Sequence, residues 1–212
     1  MKNIWKWSAA LIGLLVVGRT ALSSQQFNLQ SMLSLYLDAL SSAFGQMSKT
    51  QLQHASQIIK SFDIYGDRDF RKLSYILATA WHESRRLTAL KEIRCNLGTP
   101  CYEDQNRYWA SGYWGRGFVH LTHLENYKKM SKRLNVDLVN NPALAENPVV
   151  AADILVTGMM EGIFTGLKLS DFINNQTTDY TSSRRVVNSL DRADLIAFYA
   201  HSINKSLRYQ LA

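Results

Sequence analysis

The chain has 212 residues, 46% hydrophobic and 11% aromatic, with three prolines, two cysteines and a formal net charge of +7. This composition excludes intrinsic disorder, a collagen-like or solenoid repeat and a disulfide-dense mini-protein, and the length suits one domain with a terminal appendage. Residues 1–24 hold +3 of the charge (Lys2, Lys6 and Arg19, with no acid) and residues 184–212 another +3, so the stretch between them carries only +1. The excess points to a polyanionic partner met by the ends of the chain, and not to a nucleic-acid surface spread over the domain.

The first element is an uncharged run from Trp7 to Gly18 (WSAALIGLLVVG), preceded by Lys2 and Lys6 and followed by Arg19. About 20 residues are needed to cross a bilayer core, so this run is short for a transmembrane helix and fits the apolar region of an export signal. Cleavage after Ser23 is one reading, and an uncleaved, weakly hydrophobic anchor over residues 4–22 is a second. A buried core helix is the third. Export to the periplasm or cell envelope is the expectation, with residues 1–24 as the address and residues 25–212 as the domain.

Beyond it, Leu29, Met32, Leu33, Tyr36, Leu37 and Leu40 recur at the period of one helical face, and Gly45 ends that helix. Ser48 followed by Gln51 matches a capping box and opens a second helix that stops near Gly66. Asp67 or Asp69 caps a third, whose run from Leu73 to Trp81 is dense enough to be the central buried helix. It ends in His82-Glu83-Ser84. Residues 93–112 lack periodicity and read as a long loop of the kind that usually carries function. Further helices are expected from about His123 to Leu134, from Pro148 to about Glu161, briefly after Ser170, and from Asp191 or Asp194 toward Tyr209. Cys95 and Cys101 enclose five residues and would close a small loop in an oxidising compartment; in a reducing one they would stay free.

Glu83 is the residue that calls for explanation, because a carboxylate at the end of a helix rich in Ile, Leu, Ala and Trp is costly to bury ionised. Its pKa should rise, and it could then act as a general acid toward a glycosidic oxygen. Glu92 lies nine positions on and is the nearest second carboxylate. The plainer alternative makes Glu83 a surface residue paired with Arg85 or Arg86. A metalloprotease reading of His82-Glu83 fails, since H-E-x-x-H requires histidine where Arg86 stands.

Together Tyr75–Leu87 (YILATAWHESRRL), Gly115–Tyr127 (GRGFVHLTHLENY), Asp137–Pro148 (DLVNNPALAENP) and Arg185–Asn188 (RVVN) resemble glycoside hydrolase family 19, the chitinase-like family that includes phage and bacterial cell-wall lysins. The resemblance spans roughly Thr50 to Leu207. It implies a mostly α, lysozyme-like or chitinase-like helical domain with a long active-site loop and little β structure, the N-terminal hydrophobic helix being additional. It implies Glu83 as general acid, Glu92 as general base and Thr122 as the hydroxyl that holds the attacking water. His82, Tyr113, His120, Asn126 and Asn188 would bind substrate, and Arg116 would order the glycine-arginine-glycine turn. The implied reaction is single displacement with inversion, with no metal and no cofactor. The small phage lysozymes that place a threonine fifteen residues after the catalytic glutamate are a weaker match, since that position is Gly98.

Three departures bear on the cleft. Arg85-Arg86 replace the usual paired glycines, His120 stands where glutamine is common, and Ser189-Leu190 replace glycines after Asn188. Tyr108, Trp109, Tyr113 and Trp114 are either sugar-stacking rings or packing. The expected partner is a peptidoglycan strand, with chitin as the alternative, acted on by a monomer. A membrane-anchored binding protein that has lost turnover is the reading from a different class. The basic residues Arg184, Arg185, Arg192, Lys205 and Arg208 would meet anionic lipid or lipopolysaccharide, or form an ordinary solvated face.

Overall fold

A computed structural model describes residues 29–211, which hold seven α-helices and three short 3-10 turns. Extended structure among them is limited to isolated bridges, Lys91 with Arg116, Arg116 with Leu121 and Ile173 with Thr178. The apolar run at residues 7–18, and with it the anticipated signal or anchor, lies outside the described residues. No described helix is long and apolar enough to cross a membrane.

Helix α1 covers residues 29–44 and buries Tyr36, Ala39 and Leu40. Helix α2 (Lys49–Tyr65) starts on the capping box read from the sequence: Ser48 accepts from the Gln51 N–H, and the Gln51 side chain accepts from the Ser48 N–H. At its end Gly66 is obligatory, since a Cβ there would lie 2.5 Å from the Phe62 carbonyl and 2.6 Å from the Phe62 ring. Helix α3 (Phe70–Glu83) is capped by Asp69, which accepts from the Arg71 N–H, and its ten consecutive residues Lys72–Trp81 are all buried. It is the hub of the core. Helix α6 (Pro148–Glu161) packs on α2, and the C-terminal helix α7 (Ala193–Leu211) packs on α3. Asn147 and Pro148 start α6 by the usual device of a capping side chain followed by proline at the first helical position. The expected 3.6-residue periodicity is thus realised in α1 and α2, and the dense apolar run is the central buried helix α3.

Two local expectations are corrected. Residues 93–112 are not one loop, because they contain a helix, α4 (Pro100–Trp109). Thr99 caps it through the Tyr102 N–H, Pro100 opens it and Arg107 closes it, so the helix is set by its ends and not by an apolar stripe. Only Gln105 is fully buried on it. Ser170 does not cap a short helix either; it lies inside the 3-10 turn Leu169–Asp171. Helix α5 (Leu124–Leu134) follows the glycine-arginine-glycine segment as anticipated.

After α3 the chain reverses through three successive residues in the left-handed region, Arg85 (φ 50°), Arg86 (φ 59°) and Leu87 (φ 62°). Glycine would adopt these angles freely, whereas an L side chain meets a penalty of about 1–2 kcal/mol per residue. All three carbonyls are claimed by side chains: Thr88 donates to Arg85 (2.6 Å), Gln51 to Arg86 (2.9 Å), and the His54 ring lies 2.7 Å from the Leu87 oxygen. Leu87 itself is fully buried. The contacts that α2 makes here hold the reversal in place of glycine.

The pair Arg85→Gly and Arg86→Gly should therefore stabilise the fold, against the usual sense of a glycine substitution. The expected gain is about 1 kcal/mol after the entropy of the more flexible unfolded chain is deducted, or ~2–4 °C in the thermal midpoint by calorimetry. An unchanged or lowered midpoint would count against the strain.

Candidate active site

The last turn of α3, the segment 115–126 and the 3-10 turn Ser182–Val186 with its continuation meet around a cleft of about 370 Å³. Glu83, Tyr108, His120, Thr122, His123, Asn126 and Asn188 supply its polar lining, and Val119, Leu121, Phe164 and Val187 its apolar wall. Phe164 is fixed because its ring lies directly over Gly158 of α6, where a Cβ would come within 2.0 Å of it.

Glu83 is only partly buried and is not surrounded by apolar groups alone. Its Oε1 accepts from Arg184 Nη1 at 2.5 Å, and the Arg184 side chain is 3% exposed. Arg184 is anchored in turn by donating from Nε to the Asp191 carbonyl (3.0 Å). The ion-pair partner is thus neither Arg85 nor Arg86, both of which are exposed, but a residue 101 positions away. A charge pair with one member almost fully buried is costly to break, since the remaining ion loses its compensation. Oε2 of Glu83 has no hydrogen-bond partner among the described residues and is available to a ligand.

Glu92 follows the bridge between Lys91 and Arg116, donates its N–H to the Gly115 carbonyl (2.9 Å) and lies behind the cleft lining rather than in it. Three donors converge on it: the Tyr108 hydroxyl (2.6 Å) and the Gln105 amide (2.9 Å) on Oε1, and the Gly115 N–H (2.8 Å) on Oε2. An acceptor-only carboxylate is what such a set fits. Burial, and then the adjoining Glu92 charge, push the Tyr108 phenol far above its ordinary value, so Tyr108 remains a donor at any working pH. Gln105 also receives the Cys95 N–H (2.7 Å) and donates to the Ile93 carbonyl (2.8 Å). The Cys95–Cys101 disulfide, with Cα atoms 5.9 Å apart, ties the approach to α4 where Gln105 and Tyr108 begin.

Gly115 is squeezed between the two sides of the site. A Cβ there would stand 2.8 Å from Glu92 Oε2 and 2.9 Å from His120 Cβ. His120 adopts a left-handed backbone (φ 50°) and lines the cleft, its Nε2 buried without a hydrogen-bond partner among the described residues. Burial holds its imidazole below the ordinary value, and the charges of both Glu83 and Glu92 oppose that shift. One imidazole therefore feels both carboxylates. Thr122 donates its hydroxyl to the His120 carbonyl (2.7 Å), which leaves its lone pairs for a water or sugar hydroxyl. Asn126 donates to the Thr122 carbonyl (2.9 Å), and Asn188 accepts from the Ser189 N–H (2.8 Å); both line the cleft.

Two of the expected substrate-binding residues are elsewhere. His82 does not line the cleft, being one position earlier on α3 and so rotated about 100° from Glu83. Tyr113 donates to the Val139 carbonyl (2.9 Å) and packs edge-on against Tyr127, so its ring and hydroxyl are both committed. Of the four aromatic residues considered for sugar stacking, only Tyr108 reaches the cleft. Trp109 and Trp114 stack on each other (centroids 5.0 Å apart), with Arg94 over Trp109 (4.5 Å) and Arg116 over Trp114 (3.6 Å). Arg116 also pairs with Glu146 (3.0 Å) and donates to the Gly112 carbonyl (2.8 Å) and the Tyr127 hydroxyl (3.0 Å). It orders the turn from within, at 7% exposure.

No protein-family model matches the sequence. Solved structures do resemble the chain. A bacterial family 19 chitinase aligns with a TM-score of 0.53 over 80% of this chain and 92% of its own, at 17% identity. The fold is that of the family 19 chitinases. Chitinase C from Streptomyces griseus HUT6037 gives the same TM-score of 0.53 and 17% identity, covering 78% of this chain and 75% of that one. In sequence, Chitinase 11 of Oryza sativa subsp. japonica is 40% identical over 67 residues, 31% of this chain. The match spans about a quarter (26%) of that rice protein.

Two measurements test this geometry. Gly115→Ala should cost about 1–3 kcal/mol in denaturant unfolding, the price of overpacking a filled site; a neutral result would mean that Glu92 and His120 are not held as described. His120 takes up a proton less readily folded than unfolded, so between its lowered value and about pH 6.5 the unfolded chain binds more protons and stability rises with pH. The thermal midpoint should fall as pH is lowered from 7 to 5, and His120→Gln should flatten that fall.

Proposed function

We propose that this protein is an endolysin-like peptidoglycan hydrolase that cleaves the β-1,4 bond between N-acetylated amino sugars with inversion. The observation that carries the reading is a carboxylate in the cleft, Glu83, with a second, Glu92, directly behind its lining residue Tyr108, the two held in opposite ways on a chitinase fold. Glu83 has one oxygen tied to Arg184 and one free, while Glu92 is fixed by three donors. In this mechanism the free oxygen of Glu83 delivers a proton to the leaving glycosidic oxygen. Glu92 accepts a proton from a water that attacks the opposite face of the sugar, with that water resting on Thr122. His120, kept neutral by burial, adds no competing charge between them.

Peptidoglycan is favoured over chitin by the cation at the rim. Arg85 is exposed and close enough for its charge to act on His120. Its family counterpart, on the resemblance, is a glycine. A guanidinium at that place suits a glycan that carries carboxylates better than a neutral GlcNAc polymer. Chitin remains the second reading, since the rice relative and the solved neighbours are named chitinases. An exported protein acting at the cell envelope fits this substrate.

Glu83→Gln and Glu92→Gln should each lower turnover on purified peptidoglycan by about 10²–10⁴-fold, by the usual worth of a positioned acid or base, in protein shown to be folded by circular dichroism; Glu83→Gln should also lower the thermal midpoint, because it leaves Arg184 uncompensated. Mass spectrometry of the products should show new reducing ends on peptidoglycan and little release from chitin. Retained activity in both variants would remove this acid–base assignment, and preferential release from chitin would reverse the choice of substrate.

A further inference from the structure

Away from the cleft, the start of α3 and the last turns of α7 enclose a second concavity. It consists of two adjoining cavities of about 370 and 340 Å³ that share Arg71, Asn204 and Arg208 and have no lining residue in common with the active site. On α7 the lining residues His201, Asn204, Lys205 and Arg208 follow the i, i+3, i+4, i+7 spacing of a single helical face. Each bears an N–H donor in at least one of its forms, and none is a carboxylate.

No hydrogen bond or ion pair occupies the Lys205 or Arg208 side chain among the described residues, and both are exposed. Lys205 only approaches the Tyr209 ring, at 5.9 Å. Arg71 faces them in a fixed orientation: Nε and Nη2 bind Asp69 (2.9 and 2.7 Å), and Nη1 binds Thr178 (2.8 Å). Asp69 is the single acid lining either cavity, and it is engaged by that contact and by capping α3. The floor is the buried Tyr180, stacked on Tyr75 (5.7 Å) and met edge-on by His201 (4.7 Å). Donors thus converge on a concave, rigidly floored space with no unengaged acid to answer them.

We propose that this concavity binds a phosphate group, gripped by Lys205 and Arg208 from α7 and by the outer edge of Arg71 from α3. A tetrahedral anion with several acceptor oxygens matches a fork of guanidinium, ammonium and amide donors. An ordinary solvated helix face would place its cations outward, singly and without a concave counterpart on another helix. The same chemistry is offered by a phospholipid headgroup and by a soluble phosphate, and the site does not depend on the catalytic reading.

The test uses the full chain at low ionic strength, where charge is least screened. Inorganic phosphate is titrated by calorimetry against wild type, K205Q/R208Q, and a control, K129Q/K132Q, that removes two exposed cations from α5. Saturable binding, weakened at least tenfold by K205Q/R208Q and little by the control, is expected, with glycan hydrolysis unchanged in both variants. Vesicles of phosphatidylglycerol in phosphatidylcholine then separate the sources. A tenfold loss of vesicle binding in K205Q/R208Q, with competition by free phosphate, identifies a headgroup; saturable phosphate binding with equal vesicle binding by wild type and variant identifies a soluble ligand. Absence of saturable phosphate binding, or equal weakening by the control variant, would overturn the proposal.

Discussion

The site depends on how a carboxylate is kept at the end of a helix that is buried along ten successive residues. Helix α3 has no exposed face in that stretch, so Glu83 emerges only where the helix stops. Arg184 meets it there, brought from the far end of the chain and itself almost sealed from solvent. Removing either partner strands the other's charge, which makes the pair a fixed point in the assembly. The 3-10 turn that carries Arg184 also carries the chain to Val187 and Asn188, and Thr165 binds its Arg185 and Val186 carbonyls. The wall opposite Glu83 is therefore positioned by the same contact that compensates it. The charge of the last 29 residues, read from the sequence as separate from the cleft, in fact contributes its first cation to it.

The other carboxylate is held by a quite different logic. Glu92 belongs to no helix, and every group that fixes it comes from the segment that follows. Gln105 and Tyr108 reach it from α4, and Gly115 reaches it from the turn that Arg116 stabilises. Glycine at position 115 is required by space and not by backbone angle, since any side chain would occupy the gap between Glu92 and His120. One carboxylate thus rests on a long-range ion pair and the other on a local network of neutral donors.

Much of this was legible in the residues. The capping box at Ser48, the apolar stripes and the proline at position 148 are local rules, and they were enough to place α1, α2, α3 and α6. Glu83 stood out because an acid ending an apolar helix is anomalous, and the resemblance ordered Thr122, Asn126 and Asn188 around it. Arg184 was not legible as its partner, because nothing local joins positions 101 apart; it was grouped with surface cations. Helix α4 is too polar to show an apolar run, so the pattern of apolar residues missed it, although Thr99-Pro100 is a start signal. Tyr108 was weighed as a sugar platform or as packing, and its hydroxyl, which does the positioning, leaves no trace in a pattern of apolar residues. For Trp109 and Trp114 stacking on sugar and packing stayed open, because a sequence does not show that arginines cover their faces.

Rings and guanidinium groups alternate beside the site. Tyr102, Arg94, Trp109, Trp114 and Arg116 form a continuous pile drawn from three short stretches of chain, and Arg94 bridges Tyr102 and Trp109 at 4.5 Å each. Each layer covers a face of its neighbour, so the segments around residues 94, 102–109 and 114–116 form one packed unit. Glu92 hangs from that unit. A stack outside the cleft lining thus bears on Glu92: the short segments that carry its rings also carry Gln105, Tyr108 and Gly115, so loosening the pile at Tyr102 would loosen the donors that hold the carboxylate.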